Sequence, residues 1–284
     1  MSSQASAYEV PDWLSVAFSV VFVATGYALV VRGRLGLGRD VLVVACRAAV
    51  QLIAIGAILS WLFTHAGLPG SLAWVAAMVL IAGQVAGRRG AGLPRPRLVA
   101  TLAIGVATGA TMAVLLAAHI VGAPRTVVPV GGMVVNAILP ICSVALARLR
   151  EEVERNRAEV EARLVLGLSA AESVRPRLRA VLRTALLPPI DATKVVGLIT
   201  LPGAMTGLIL AGVPPLLAIR YQLVVVYISL SAPAMGAVLV GKLMTRQLFD
   251  DALRLRPLSA PGTGPGTGPL ALFARRKKAR AAVG

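Results

Sequence analysis

Seven apolar stretches restrict the fold of this chain more than any other feature of its sequence. They cover residues 13–31, 41–63, 72–85, 98–121, 127–147, 188–211 and 221–241. A helix needs about 20 apolar residues to cross a hydrocarbon core about 30 Å thick, and all but the short third stretch approach or exceed that length. Only 14% of the residues are charged, against about 25% in soluble domains. We therefore expect an all-α polytopic membrane protein with about seven transmembrane helices.

The basic residues are concentrated in alternate connections, which would all lie on one side of the membrane. Connections 1–2, 3–4 and 5–6, together with the tail from Lys242, hold 25 of the 29 Lys and Arg residues. Because Lys and Arg accumulate in cytoplasmic connections, the N-terminus is expected outside and the C-terminus in the cytoplasm. No Lys or Arg precedes the first stretch, so we expect a retained helix and not a cleaved signal peptide. The net charge of +17 thus indicates membrane topology, and nucleic acid is not an expected partner.

These boundaries divide the chain into five predicted segments. They are a short external N-terminus at 1–12, transmembrane helices 1–5 at 13–147, a cytoplasmic helical coupling segment at 148–187, helices 6 and 7 at 188–241, and a basic low-complexity tail at 242–284. The tail ends in a basic cluster, for which a solvated end and contact with anionic lipid both remain open.

The coupling segment carries the clearest local signals. An apolar stripe predicts that the fifth span continues as a helix into the cytoplasm; its members are Leu146, Leu149, Val153, Val160 and Leu164. Gly167 is expected to end that helix. On its polar face, Glu151–Arg155 and Glu159–Arg163 have the acid-first i,i+4 spacing of ion pairs. Ser169 and Glu172 have the spacing of a capping box and should open the next helix. Pro176 should end that helix near residue 174, before a third, basic helix over 176–187.

No sequence motif indicates chemistry performed by this chain. The sequence contains no Walker A loop, no H-E-x-x-H, no G-x-S-x-G and no C-x-x-C. Cys46 and Cys142 lack the spacing of a metal site. We therefore expect a non-enzymatic subunit that binds no cofactor itself, with ATP and Mg on a partner if transport is ATP-driven. The residues that would ligate a metal remain unknown.

A few polar residues interrupt the apolar stretches. Arg47 and Gln51 lie one turn apart on span two and share a face. Asn136 interrupts span five, and Asp191 and Lys194 lie near the start of span six. Such residues usually face a bundle interior or an aqueous cavity. The alternatives are that Arg47 reaches back to the interface and that Asn136 only bridges helices.

Span six raises two further questions. Pro202 and Gly203 lie in its middle, which is typical of a broken helix at a transport site or of a simple kink. Its start also remains open. A start after Arg183 puts Asp191 about 12 Å into the helix, whereas a start at Pro188 puts Asp191 in the first turn. With either start, we expect Asp191 to pair with Arg47, beside Lys194, in an inner gate.

Three segments carry a resemblance to a known family. Residues 46–56, 128–136 and 164–223 are similar to the FetB-type permeases, the membrane subunits of ABC transporters linked to iron export, whose plant relatives are implicated in aluminium tolerance. The most specific part is the pattern D-x-x-K-x-x-G-L-x-x-L-P-G-x-M-x-G from Asp191 to Gly207. The resemblance implies a homodimeric permease in the bacterial cytoplasmic (inner) membrane, working with two ATP-hydrolysing subunits that bind ATP and Mg.

The resemblance also implies roles for individual residues. The residues of a transport pathway or gate would be Arg47, Gln51, Asn136, Asp191, Lys194, Pro202, Gly203, Met205 and Gly207. Glu161 and Gly167 are similar to the ends of the E-A-A-x-x-x-G loop with which importer permeases contact their ATPases. Together with Ser169 and Glu172, they are the predicted ATPase-docking residues.

Three functions compete at this point. The first is an ABC permease that exports a metal such as iron. The second is a secondary transporter or channel driven by an ion gradient, and the third is a membrane scaffold or sensor. The long charged connection between spans five and six favours the first, because a secondary transporter needs no docking platform of that length. In all three, the lipid bilayer surrounds the chain.

Overall fold

The computed structural model describes residues 12–33, 38–65, 67–200, 202–250, 252 and 254–258. These residues form nine α-helices and contain no named β-strand, which confirms the all-α prediction. The helices are α1 Trp13–Arg32, α2 Gly38–His65, α3 Gly67–Arg89, α4 Pro96–Ala117, α5 Pro124–Arg155, α6 Arg157–Val165, α7 Ala170–Lys194, α8 Gly203–Leu210 and α9 Pro215–Leu248.

The chain divides into two compact units. The first lies within residues 1–71 and 201–222 and contains α1, α2, α8 and the first turns of α9. The second lies within residues 72–200 and 223–284 and contains most of α3, all of α4 to α7, and the remainder of α9. In the first unit α1 packs against α2, and in the second α5 packs against both α4 and α7.

Five of the helices are long and apolar enough to cross a membrane. They are Val41–Leu62, Gly67–Arg89, Pro96–Ala117, Thr126–Arg155 and Pro215–Leu248. A shorter apolar helix covers Ala17–Arg32. The short third stretch of the sequence thus belongs to a full-length helix, α3. The number of spans and the orientation of the termini stay predictions.

The sixth apolar stretch is not a single helix. α7 ends at Lys194 and α8 begins at Gly203, and turns connect them, with Gly197 at a φ of +82°. Pro202, which has no N–H to donate, immediately precedes α8 in an extended conformation. The prediction of one helix over 188–211 was therefore wrong, because a left-handed glycine and a proline interrupt it. With eight residues, α8 is about 12 Å long, too short to cross a membrane.

α7 is longer than its prolines predicted. It continues from Ala170 to Lys194 through Pro176, Pro188 and Pro189. The predicted end near residue 174 and the separate helix over 176–187 were wrong, as were both predicted starts of span six. Each proline removes one backbone hydrogen bond, but the face of α7 that carries Val174, Val181 and Ala185 is fully buried. Tertiary packing of an apolar face outweighs a local helix breaker here.

The core of the second unit is built by close approaches between helices. A Cβ at Gly236 of α9 would lie 2.5 Å from Cγ2 of Ile138 in α5, so only glycine fits there. Of the predicted apolar stripe, Leu146, Leu149 and Val153 are buried on α5, and Val160 is buried on α6. The prediction that one helix continues from span five to Gly167 was wrong, because the helix is interrupted at Asn156, between α5 and α6. α9 continues beyond the apolar stretch to Leu248. The predicted basic cluster at 275–280 lies outside the described residues.

Candidate functional site

The coupling segment forms a packed arm, which consists of the end of α5, all of α6 and the beginning of α7. Asn156 both ends α5 and precedes α6, and its side chain donates to the carbonyl of Glu152 at 2.8 Å. Val160 of α6 is buried, as is Val174 of α7, and these two helices pack against each other. The arm therefore has a core of its own and can transmit a displacement as a unit.

Gly167 produces the sharp turn between α6 and α7. Its φ is +84°, a conformation that costs other residues strain. The N–H of Gly167 donates to the carbonyl of Leu164 at 3.0 Å, and the N–H of Leu168 donates to that of Arg163 at 3.2 Å. These two bonds form a Schellman motif. The predicted helix end at Gly167 is confirmed.

The capping box that follows the turn is also confirmed. The Glu172 N–H donates to Ser169 Oγ at 3.3 Å, and the Ser169 N–H donates to Glu172 Oε2 at 3.0 Å. The Ser169 hydroxyl also donates to Oε2, at 2.6 Å. These hydrogen bonds from Ser169 hold the pKa of Glu172 below its ordinary value. The first turn of α7 is therefore fixed when Glu172 is ionised.

Apolar side chains project from this turn into the surroundings. Val165 is 87% exposed and Leu166 is 78% exposed, and Leu168 is exposed as well. We call residues 165–168 the docking tip. Exposed aliphatic residues between two charged helices are typical of a surface that another protein covers. Gly167 was predicted as a docking residue, but the exposed side chains of Val165, Leu166 and Leu168 were not, although the run V-L-G-L was visible in the sequence.

Ion pairs within α6, and between α6 and α7, stabilise the arm. Glu159 pairs with Arg163 at 2.8 Å within α6, as predicted from their spacing, and also with Arg177 of α7. Glu161, a predicted docking residue, pairs with Arg157 at 2.9 Å. The Arg157 guanidinium also donates to the carbonyl of Leu255, at 3.1 Å. These contacts connect α6 both to α7 and to the chain that follows α9.

The polar residues of α2 and α5 lie on exposed positions. Arg47 and Gln51 are exposed on α2, and Asn136 is exposed on α5. No residue in the most apolar window of α2 is buried within the described chain. In a membrane, such positions face lipid or another molecule, and polar residues there favour the second.

Asp191 and Lys194 form an ion pair in the last turn of α7. Lys194 Nζ lies 2.7 Å from Asp191 Oδ1, and both side chains are exposed. The prediction that Asp191 lies early in a sixth span was wrong, because the helix that carries it begins at Ala170. Lys194 in the last turn interacts favourably with the helix dipole. The predicted pairing of Asp191 with Arg47 stays a prediction.

The remaining pathway candidates lie at α8. Pro202 precedes the helix, and its carbonyl accepts from the Thr206 N–H at 3.0 Å and from the Thr206 hydroxyl at 3.1 Å. Gly203 is the first helical residue, and Met205 and Gly207 follow within α8. A Cβ at Gly203 would meet no atom of the described chain within 4 Å. Gly203 therefore makes no close helix contact within this part of the chain.

A cavity of about 440 Å³ adjoins the end of α7. Three prolines line it, Pro140 of α5 and Pro188 and Pro189 of α7. Because proline has no N–H, the carbonyls of the residues four positions earlier lack their usual helical donor. Ala192 and Thr193, between Asp191 and Lys194, line the same cavity. The cavity was not predicted from the sequence, where Pro188 was named only as a possible start of span six, although the doublet of prolines was a signal.

Metal ligands are not clustered in the described residues, which contain no group of three or more His, Cys, Asp and Glu close enough to hold an ion. Oxygen donors are available at the cavity instead. They are the backbone carbonyls that the prolines leave without a helical donor. The carboxylate of Asp191 precedes the lining residue Ala192 in the chain but does not itself line the cavity. Oxygen ligands suit hard cations. The side chains that line the cavity are mostly apolar, and the described part of the chain offers no closed metal centre.

Comparison with known proteins shows a family for almost the whole chain. The profile of an uncharacterised protein family, UPF0014, matches residues 13–249. The UPF0014 membrane protein STAR2 of Oryza sativa subsp. japonica is 38% identical over 82% of this chain and 82% of its own length. The protein ALUMINUM SENSITIVE 3 of Arabidopsis thaliana is 31% identical over 86% of this chain and 93% of its own. The probable iron export permease protein FetB of Escherichia coli is 29% identical over 85% and 93%. No solved structure matches the chain.

Proposed function

Because the chain belongs to the UPF0014 family, we propose that it is the permease subunit of an ABC transporter that exports a metal such as iron. Its similarity to a probable iron export permease supports the class of substrate and the direction. The observation that carries the proposal is the docking tip at residues 165–168, where exposed aliphatic side chains stand at the end of a packed, ion-paired arm.

The tip is where the ATP-hydrolysing partner binds. Val165 and Leu166 offer the apolar contact, and Ser169 with Glu172 fixes the helix that leaves it. ATP and Mg are held by the partner, and two copies of the chain form the permease in the bacterial cytoplasmic membrane. In this arrangement the arm and the positive connections face the cytoplasm.

α7 connects the docking tip to the cavity at its far end. It runs without interruption from the capping box to the Asp191–Lys194 pair, over about 37 Å. Closure of the ATPases displaces the tip, and α7 carries that displacement to its far end. Pro188 and Pro189 are the hinge, because the helix lacks two hydrogen bonds there. The turns between Lys194 and Gly203 then change the access of the cavity.

The substrate is a cation that meets oxygen donors. Asp191 supplies the negative charge, and the carbonyls that face Pro140, Pro188 and Pro189 supply further oxygens. In the resting protein Lys194 occupies the Asp191 carboxylate and keeps the position closed to other cations. A cation competes for Asp191 when the far end of α7 moves.

Gly167→Val tests the docking of the ATPase. A β-branched residue at a φ of +84° strains the turn by about 1–3 kcal/mol, so the tip loses its shape while the spanning helices are untouched. We expect normal membrane insertion, with loss of the transport-stimulated ATPase activity of the complex. Gly109→Val on α4 is the matched control, because Gly109 has no positive φ and a Cβ there would meet nothing within 4 Å. Normal stimulated ATPase activity in Gly167→Val would contradict the docking role.

The substrate is tested by the metal content of cells that lack the protein. Under iron load we expect such cells to accumulate iron, and complementation with the intact chain should restore the lower content. An ATPase-deficient partner should fail to restore it. If export persists with that partner, the chain works as a secondary transporter; if no metal accumulates, metal export is wrong.

A further inference from the structure

A basic pocket of about 490 Å³ lies where α7 passes the end of α9. The pocket is lined by Glu172, Arg175 and Leu178 of α7 and by Lys242, Thr245 and Arg246 of α9. We propose that this pocket binds the phosphate headgroup of an anionic phospholipid. This site requires only that the chain lies in a membrane, and it goes beyond the transport function proposed above.

The charge of the pocket selects an anion. Three cations line it, against a single carboxylate, that of Glu172. That carboxylate already accepts two hydrogen bonds from Ser169, so it is engaged in the helix cap. Within the described part of the chain, Lys242 and Arg246 form no ion pair. Two unpaired cations beside a third are therefore available to a phosphate.

The depth of the pocket matches the headgroup layer. Lys242 is the first charged residue after the apolar stretch 221–241, so the hydrocarbon core ends at about this level of α9. A Cβ at Gly241 would lie 3.0 Å from Leu178 Cδ1, which places Leu178 at the same level. Arg246 follows Lys242 by about one turn, or 6 Å. Basic pockets at this level, between helices, are typical sites for acidic lipid headgroups.

The apolar wall of the pocket favours lipid over an acidic side chain of the ATPase. The pocket extends along α7 from Glu172, close to the docking tip, to Leu178, about 14 Å from Ser169. The pocket also has an apolar wall at Leu178 and at the stem of Lys242, which can contact the glycerol and the first methylenes of a lipid. An acidic side chain would use the cations but not this wall.

The test uses the full chain, purified in detergent without an ATPase and titrated with short-chain lipids. Native mass spectrometry measures the binding of dioctanoyl phosphatidylglycerol, with dioctanoyl phosphatidylcholine and inorganic phosphate as comparisons. We expect phosphatidylglycerol to bind more tightly than phosphatidylcholine. The double variant Lys242→Gln, Arg246→Gln should weaken phosphatidylglycerol binding about 25-fold, since each basic residue near a membrane surface contributes roughly a factor of five.

Two controls keep the result specific. Arg88→Gln with Arg89→Gln makes the same change of charge at the end of α3, where both residues are exposed, and should leave the affinity unchanged. Lys242→Arg with Arg246→Lys keeps both charges and should retain binding, and it remains informative if the neutral variant fails to fold.

Several results would overturn the site. Equal binding of the two lipids would do so, as would unchanged affinity in the neutral double variant or lost affinity in the charge-keeping one. Competition by inorganic phosphate as strong as that by phosphatidylglycerol would identify a free-anion site. If the neutral variant lost only its binding to the ATPase, the pocket would bind an acidic side chain. Because lipid binding is measured without the partner, failure here leaves the proposed transport function untouched.

Discussion

Helices α2 and α5 are both apolar enough to span a membrane, but the chain covers them very differently. Half of the most apolar window of α5 is buried, whereas none of that of α2 is. On α2, Leu52 is 71% exposed and Ile53 is 65% exposed, while Ile138 on α5 is fully buried. Hydropathy therefore identifies both as spanning helices without showing which one has protein neighbours.

This difference separates the two candidate sites. The packed arm continues from α5, the more buried of the two helices, so a displacement of the docking tip is transmitted to a packed core. Arg47 and Gln51 are exposed on α2, whose most apolar window contains no buried residue although α1 packs against this helix. We expect the exposed face of α2 to contact lipid or a second copy of the chain. The polar pair Arg47 and Gln51 favours the second copy, because polar residues in a membrane usually face protein or water.

The largest effect is expected from reversing charges at the predicted gate. Arg47→Asp and Asp191→Arg should each abolish transport, because each leaves two like charges together, and the double exchange should recover part of it. Metal accumulation under load measures this. Exchanging Asp191 and Lys194 with each other is the control, since it keeps the ion pair within α7. It places a cation at position 191, so it should also abolish transport if Asp191 pairs with Arg47. Normal transport with Asp191→Asn, or with that control, would contradict a gate between α2 and α7.

A smaller effect, on stability, is expected from adding one methyl group to a packed position on α3 and to an open position on α2. In Gly83→Ala, the new Cβ would lie 2.6 Å from Thr101 Cα in α4, and such overpacking costs about 1–3 kcal/mol. In Gly56→Ala on α2, the new Cβ meets nothing within 4 Å, so stability should not fall. Unfolding midpoints in detergent measure both. Equal losses would show that α2 is packed as tightly as α3.

The smallest effect is a pH dependence at the capping box. Because the pKa of Glu172 is lowered in the folded protein from its ordinary value of 4.5, its contribution to stability is complete above that value. The contribution is lost as the pH falls through the lowered pKa. The protection of the Glu172 and Ser173 amides against hydrogen exchange should therefore fall as the pH drops below 4.5. In Glu172→Ala, exchange should be faster at every pH and lack this step.

Local signals predicted local structure well. Gly167 and the pair Ser169–Glu172 were identified from spacing alone, because a left-handed glycine and a capping box involve only neighbouring residues. Glu159–Arg163 was likewise found from its i,i+4 spacing. Glu151–Arg155 was not formed, since Glu151 pairs with Arg148 instead, at 3.0 Å. Surface charges have several partners of similar energy within one turn.

Structure that depends on distant contacts was not predictable in this way. Pro176 is a helix breaker by propensity, and only the burial of Val174 and Val181 against the rest of the second unit keeps α7 intact. The break before α8 was signalled by Pro202, but its extent depends on the φ of Gly197. The exposure of Leu166 follows from how α6 and α7 pack. The continuity of α7, the extent of the break and the exposure of Leu166 thus depend on contacts or backbone conformation that the local sequence does not specify.

Contact between the docking tip and an ATPase is the most direct test of the proposed mechanism. A photo-crosslinking residue at Leu166 is compared with one at Leu52 of α2, which has similar exposure, 78% against 71%. Both variants are co-expressed with the ATP-hydrolysing partner. We expect a crosslink to that partner from position 166 and none from position 52. Absence of the crosslink at 166, or equal crosslinking at both positions, would contradict the docking arm.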